Sequence, residues 1–262
     1  MLAAFATSAR VLDDQVKVSQ YQEVATRNAN FLLKHLRPNG HLSRAWRNNV
    51  TSNKVFLEDY ASLIIGLLEL YQTNFDNHWF VAACKLANEM ITRFSDSNGG
   101  FFDTPNDGES LLIRPKDIQD NATPSGNSLA CEALLKLAAF TDKGEYRDHA
   151  EKALALIVDP AMRYPMAFAR WLSAADYALD NGKQIAVLYE AKEENARDLL
   201  NVIRSEYRPG IVVAASASPP PVDSPALLAD RPLKDGKATV YVCENFVCKQ
   251  PVNTVEELRS QL

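Results

Sequence analysis

Three segments of the chain gather residue types that do chemistry. Phe56-Leu57-Glu58-Asp59-Tyr60 puts two acids directly ahead of an apolar helix. Gly99-Gly100-Phe101-Phe102-Asp103-Thr104 follows an amphipathic one. The long connection Leu112–Ser128 carries Arg114, Lys116, Asp120, Asn121, Ser125 and Asn127. If the elements behind them converge, Glu58, Asp59, Asp103 and Asp120 stand around one cavity as candidate acids and bases. Cleaving a glycosidic bond needs such a set: one protonated carboxyl to donate to the leaving oxygen, one ionised to activate water or stabilise the cation. Arg114 and Lys116 would hold hydroxyls or an anionic group, with Asn121, Ser125 and Asn127 beside them. Trp46, Phe101 and Phe102 would stack on a sugar face, and His41 lies in a turn at the same expected mouth.

The same residues fit structural work. Asp59 and Asp120 stand where carboxylates cap free N–H groups and favour the helix dipole. Ser125, Gly126 and Asn127 are ordinary turn and cap residues, and Arg114 and Lys116 suit an ion-paired face. His35, His41, His78 and His149 lack metal-ligand spacing. Neither a Ser-His-Asp or Cys-His constellation nor a phosphate-binding glycine loop can be assembled. No metal or cofactor is expected.

The elements that would position these groups repeat. An apolar helix, a loop, an amphipathic helix and a turn recur as Met1–Leu12 with Tyr21–Leu36 and Pro38-Asn39-Gly40, Tyr60–Tyr71 with Trp79–Phe94 and Asn98-Gly99-Gly100, then Asn127–Phe140 with Tyr146–Val158. Tyr21, Trp79 and Tyr146 open the second helices, 58 and 67 residues apart, the period of stacked helical hairpins. Residues 60–71 are apolar nearly all round, as a helix between neighbours must be. Phe80, Ala83, Ala87, Met90, Ile91 and Phe94 share one face of an outer helix. A fourth inner helix is expected over Met166–Leu179. The fold is therefore mainly α, two layers of hairpins over residues 1–182. A small α/β piece follows over residues 183–262: strands at Ile185–Tyr189, Ile211–Ala215 and Ala238–Cys243, and helices at Asn195–Tyr207 and after Thr254, whose Glu257 completes a capping box. Glu190-Ala191-Lys192 after the first strand is no glycine-rich turn, which argues against a dinucleotide site.

The chain has 262 residues, 47% of them hydrophobic, and a formal net charge of −5. That excludes disorder and a broadly basic nucleic-acid surface. No apolar run approaches the ~20 residues of a spanning helix, and the N-terminus lacks a basic region ahead of its apolar start. A cytoplasmic protein is expected, touching neither nucleic acid nor membrane. Cys243 and Cys248 would face opposite sides of a regular strand, so pairing them needs a bend. Isolated thiols in a reducing compartment are the expectation.

Four ordered motifs together resemble one family: Phe56–Ala61, Gly99–Thr104, Arg114-Pro115-Lys116 with Asp120–Ser128, and Tyr241–Val252. It is the thioredoxin-domain-containing, spermatogenesis-associated-protein family, whose large domain resembles the six-hairpin glycosidases and N-acylglucosamine 2-epimerases. The resemblance implies a partial (α/α)6 toroid. Family members carry a thioredoxin-like domain and about half of the toroid ahead of the region matched. The open flank of the half-ring would then meet a second copy, in a homodimer, or that other half. Two functions follow as expectations. One is a carbohydrate-active toroid, epimerase- or glycosidase-like, taking a small sugar. The other is a non-catalytic binding or scaffold module working with a thioredoxin-like domain, and an inactive truncated remnant is the third possibility.

Overall fold

A computed structural model describes residues 1–37, 40–52, 54–110, 112–179, 182–190, 195–244 and 247–262. The turn expected at Pro38–Asn39, the Asn181 boundary and the Ala191-Lys192 turn lie outside the described residues.

The protein is mainly helical, and its helices come in hairpins. Helix α1 (Leu2–Val11) turns into α2 (Gln15–His35), α3 (Leu57–Asn74) into α4 (Asn77–Phe94), and α5 (Gly126–Thr141) into α6 (Gly144–Ala155). A short α7 (Val158–Arg163) and a 3-10 turn at Pro165–Ala167 lead into α8 (Ala169–Leu179). Helices α1, α3, α5 and α8 stand side by side as an inner layer, while α2, α4 and α6 each back onto their own hairpin partner. Periodicity explains the division. Helix α3 buries residues on every face, whereas α4 buries Trp79, Phe80, Ala83, Leu86, Ala87, Met90 and Phe94 and leaves the opposite face to solvent. Helix α2 begins six residues ahead of the expected Tyr21, because the Asp14 carboxylate accepts from Val16 N and Lys17 N and starts the helix there.

The C-terminal piece is a sheet of order β4-β3-β5-β6, built from β3 (Lys183–Tyr189), β4 (Ile211–Ala217), β5 (Thr239–Glu244) and β6 (Val247–Cys248). Strand β3 pairs parallel with β4 and antiparallel with β5. A separate two-stranded ribbon, β1 (Trp46–Arg47) with β2 (Val50–Thr51), lies in the loop ahead of α3. The central strands are continuous apolar runs because both sheet faces are covered. Ala186, Leu188, Val212, Ala214 and Tyr241 join the core of the helical layer. Ile185, Val187, Val213, Val240 and Val242 form a second cluster with α9 (Asn195–Arg204) and α10 (Val255–Arg259). Thr254 caps α10 as expected: Glu257 N donates to Thr254 Oγ1 at 3.3 Å, and that hydroxyl donates to Glu257 Oε2 at 3.0 Å, a side-chain contact rather than the backbone bond of a full capping box.

The sheet sits at the C-terminal end of α3. Arg204 donates to the carbonyls of Gln72 and Thr73 at 2.8 and 3.2 Å, putting a cation where the helix dipole favours one. Val213 N donates to Gln72 Oε1 at 2.9 Å. The loops with the acids therefore lie at the other end of the inner layer.

One correction concerns the cysteines. Cys243 and Cys248 form a disulfide rather than standing as isolated thiols. The chain reverses between β5 and β6, so the two residues face each other across an antiparallel pair and not along one strand.

Inside the inner layer, Glu69 is paired with Lys136 at 2.8 Å and with Arg10. Burial alone would raise the Glu69 carboxyl, but Lys136 and Arg10 outweigh it and bring it down to about 2. A folded-state value below the unfolded ~4.3 means that the stability contributed is present above that pH and is lost as pH falls toward about 2. Glu69→Gln leaves buried cations under-compensated and should cost about 3 kcal/mol at pH 7. Guanidinium unfolding at pH 7 and pH 3 should show that difference shrinking in acid.

Candidate functional site

The N-terminal ends of α3 and α5 meet. A Cβ on Gly126 would stand 3.1 Å from Glu58 N and 3.2 Å from the Leu57 side chain, so any larger residue would push the two helix starts apart by a few tenths of an ångström. The Gly99–Thr104 segment is stitched in beside them: Leu57 N donates to Asp103 O at 3.0 Å, and Asp103 N donates to Pro115 O at 2.8 Å. All three expected segments therefore converge at this end.

Glu58, Asp59 and Asp103 are brought together there with Arg44 and Asp117. Arg44 reaches Glu58 at 2.7 Å and Asp59 at 3.7 Å, and its guanidinium lies over the Phe56 ring. Asp59 accepts from Phe56 N at 2.9 Å, closing the first turn of α3. Even so its carboxyl is raised: burial pushes it up and Glu58 adds repulsion, against the Phe56 N–H and Arg44. Asp103 accepts from Asp117 N through both oxygens, at 3.2 and 3.0 Å. It too is raised, by burial first and then by the negative charges of Asp117 and Glu58, against that N–H. Chemically this is a group of acids in which two are biased toward the protonated form beside a half-exposed third.

The other expected groups are committed to architecture. Asp120, 8% exposed, accepts from Ser125 N and Ser128 Oγ on one oxygen, and from Arg170 N and Trp171 N on the other. Ser125 caps α5, accepting from Ser128 N at 3.1 Å. Asn127 is fully buried; it accepts from Phe101 N and donates to the carbonyls of Phe101 and Asp117. Arg114 lies over the Phe102 ring at 4.1 Å and donates to the carbonyls of Thr104 and Arg93. Lys116 pairs with Asp96 at 2.6 Å and donates to Gly99 O, so Phe102 faces two protein cations. Asn121 is exposed, its amide oxygen accepting from Ala122 N. Trp46, on β1, packs against Phe31 and His35 of α2.

His41 belongs to a second cluster. Glu89 of α4 accepts from Tyr60, Arg37 and Arg93, and its Oε1 lies 2.7 Å from His41 Nδ1. Arg93 continues to Tyr60 and Asp107. Burial, and then donation to Glu89, push the Tyr60 phenol up to about 12. Sequence reasoning missed Arg37, Arg44, Glu89, Arg93 and Asp107. The one readable signal was Glu89 and Arg93 four apart on an outer helix, which also describes a solvated pair. Among the described residues no group of three or more His, Cys, Asp or Glu side chains could hold a metal ion, and no helix is long and apolar enough to cross a membrane.

Two substitutions separate the two kinds of carboxyl. A raised folded-state value means that the fold favours the protonated form, a contribution present in acid and lost as pH rises through that value. Asp103→Asn should therefore be as stable as the parent or more so at pH 7, any gain vanishing at pH 3. Asp120→Ala strands four donors and should cost about 3 kcal/mol at pH 7. Denaturant melts at both pH values check both expectations.

No family model matches the chain. It is similar to Spermatogenesis-associated protein 20 of Homo sapiens, 33% identical over 213 residues that cover 79% of this chain and 27% of that protein. The Rattus norvegicus protein of the same name is 31% identical over 277 residues, covering 100% of this chain and 35% of its own length. An uncharacterized protein of Caenorhabditis elegans is 28% identical, across 92% of this chain and 34% of that protein. The chain spans about a third of the length of the curated relatives it matches. Over the span it shares with them, the chain belongs to the spermatogenesis-associated protein 20 family.

Proposed function

We propose that this chain supplies the acid-bearing loops of a carbohydrate-active (α/α)6 toroid, epimerase- or glycosidase-like. The observation that carries the reading is the trio Glu58, Asp59 and Asp103, in which burial and mutual repulsion raise two carboxyls. A protonated Asp59 or Asp103 is a general acid for a leaving sugar oxygen. Glu58, nearly half exposed beside Arg44, is the carboxylate for the base. In an epimerisation the same groups would remove a proton from the sugar and return one.

The inner layer supports the reading. An open groove of about 440 Å³ runs along α1, α3, α5 and α8; its lining is mostly apolar, with Ala3, Val11 and Ile65, and Glu69, Lys136 and Arg170 add charged groups to it. Apolar side chains stand exposed at both ends of the layer: Met1, Val11 and Val16 at one, Met162, Met166 and Leu179 at the other. A continuing ring, or a second copy of the half-ring, would cover them.

The second reading, a non-catalytic binding module, draws on a different observation. Asp120, Asn127, Arg114 and Lys116 already spend polar atoms on the protein itself. Thermal melts against a panel of neutral and N-acetylated hexoses and their disaccharides decide between them, with turnover followed by proton NMR. A binding sugar at a hundred times its Kd should stabilise by ~2.7 kcal/mol. Asp59→Asn and Asp103→Asn should then abolish turnover while preserving that shift. Binding without turnover favours the module, and no shift with any sugar counts against the toroid reading.

A further inference from the structure

The outer edge of the sheet carries a site that the acid loops do not use. Cys243 and Cys248 are bonded across β5 and β6, and the two sulfurs are not equivalent. Cys243 is 1% exposed and belongs to the core shared with the helices, whereas Cys248 is exposed on the edge strand. Arg231 donates from Nη1 to Cys248 Sγ at 2.9 Å. Its guanidinium is fixed there, because Nε donates to Leu227 O at 2.5 Å and the group lies 5.0 Å from the centre of the Tyr241 ring. Among the described residues Arg231 has no carboxylate partner. A neutral disulfide sulfur gains little from a neighbouring cation, while a thiolate gains a great deal.

The bond is also a poor staple. Its cysteines are five apart in sequence, and the strands already pair through Glu244 with Val247 and through Lys249 N to Val242 O. Constraining so short a loop adds little that the hairpin does not already supply.

We propose that Cys243–Cys248 is a thiol–disulfide exchange centre for a dithiol partner, with Cys248 the entry sulfur, Cys243 the resolving one and Arg231 positioning and stabilising the Cys248 thiolate. In the reductive direction, one thiolate of the dithiol attacks Cys248 Sγ. The sulfur–sulfur bond breaks, its electron pair leaves on Cys243, and Cys243 takes up a proton. The dithiol's second sulfur, after losing its proton, attacks the first. It closes the partner's own disulfide and expels Cys248 as a thiolate facing Arg231. Two electrons pass to the protein. The reverse direction begins with the Cys248 thiolate attacking a disulfide. The other cysteines stand outside this chemistry: burial pushes the Cys84 thiol up to about 11 and raises Cys131 further.

The test uses the full chain, reduced with dithiothreitol and freed of it, then alkylated with iodoacetamide across a pH series, each cysteine being read by peptide mass spectrometry. Cys248 should react first, with a midpoint at least one unit under the free-thiol value of about 8.5. Arg231→Met should raise that midpoint by about one unit and slow alkylation at pH 7 several-fold, up to ~10-fold, while Arg231→Lys recovers most of the loss. Glutathione disulfide given to reduced Cys243→Ser should leave glutathione trapped on Cys248, and the parent should resolve that adduct to the internal disulfide. A parent midpoint near the free-thiol value that neither Arg231 variant moves would overturn the proposal. So would glutathione trapping no better in Cys243→Ser than in the parent. A purely structural bridge would lower the melting temperature on reduction and move none of these readouts. If Arg231→Met does not fold, Arg231→Lys and the Cys243→Ser trap still decide the question.

Discussion

The first turns of α5 and α8 present backbone N–H groups with no partner inside their own helices, and a single carboxylate serves both. Asp120 spends one oxygen on Ser125 N and Ser128 Oγ and the other on Arg170 N and Trp171 N. It is held in turn from both sides, since its own N–H donates to Ala167 O and Trp171 Nε1 donates to Ile118 O at 2.7 Å. The long connection ahead of α5 must therefore run past the start of α8, which fixes where Asp117 lies. Asn127, in the first turn of α5, donates to Asp117 O and brackets Phe101 through its N–H and C=O. Phe101 is two residues from Asp103, whose backbone bonds to Leu57 N and Pro115 O. From one clamp the path runs through backbone contacts to the acids at the start of α3.

This chain of contacts leaves most of the polar groups at that end of the layer occupied. The electrostatics of the inner helices follow the same division by ends. Glu58 and Asp59 sit at the N-terminus of α3, where the dipole favours negative charge, and Arg204 covers its C-terminal carbonyls. Between them, Glu69 is held among Lys136 and Arg10 in the body of the layer. The acid end is thus the one end of α3 left facing loops rather than the sheet.

The hairpin plan was legible because burial leaves a period in the sequence. Helix α3, apolar on all faces, and α4, apolar on one, carry their places in the layers in their own periodicity. What stayed illegible were contacts made by folding distant segments together. The ribbon β1–β2 is too short to show alternation. The expectation for Cys243 and Cys248 failed because a two-residue edge strand reads as the tail of β5. Arg44 carries no local signal, since it meets Glu58 and Asp59 only after the ribbon reverses the chain. Trp46 and His41 were sensible candidates by type. Trp46 turned instead toward Phe31 and His35, and His41 toward Glu89.

Asp103 and Asp120 show why residue type alone could not assign roles. Both are aspartates on loops at the same end of the inner layer, Asp120 buried and Asp103 partly buried. The difference lies in what donates to them. Asp120 receives a hydroxyl and three backbone N–H groups, so its charge is balanced by architecture and its removal would strand donors. Asp103 receives one N–H, shared between its oxygens, and faces the negative charges of Asp117 and Glu58. Burial and those two charges raise its carboxyl, so the fold disfavours the ionised form there. Positions that hold such a cost are where function, rather than packing, accounts for the residue. By that argument the clamp and the acid differ in kind: Asp120 sets the geometry of the loops, while Asp103, like Asp59, is the carboxyl that the proposed chemistry would draw on.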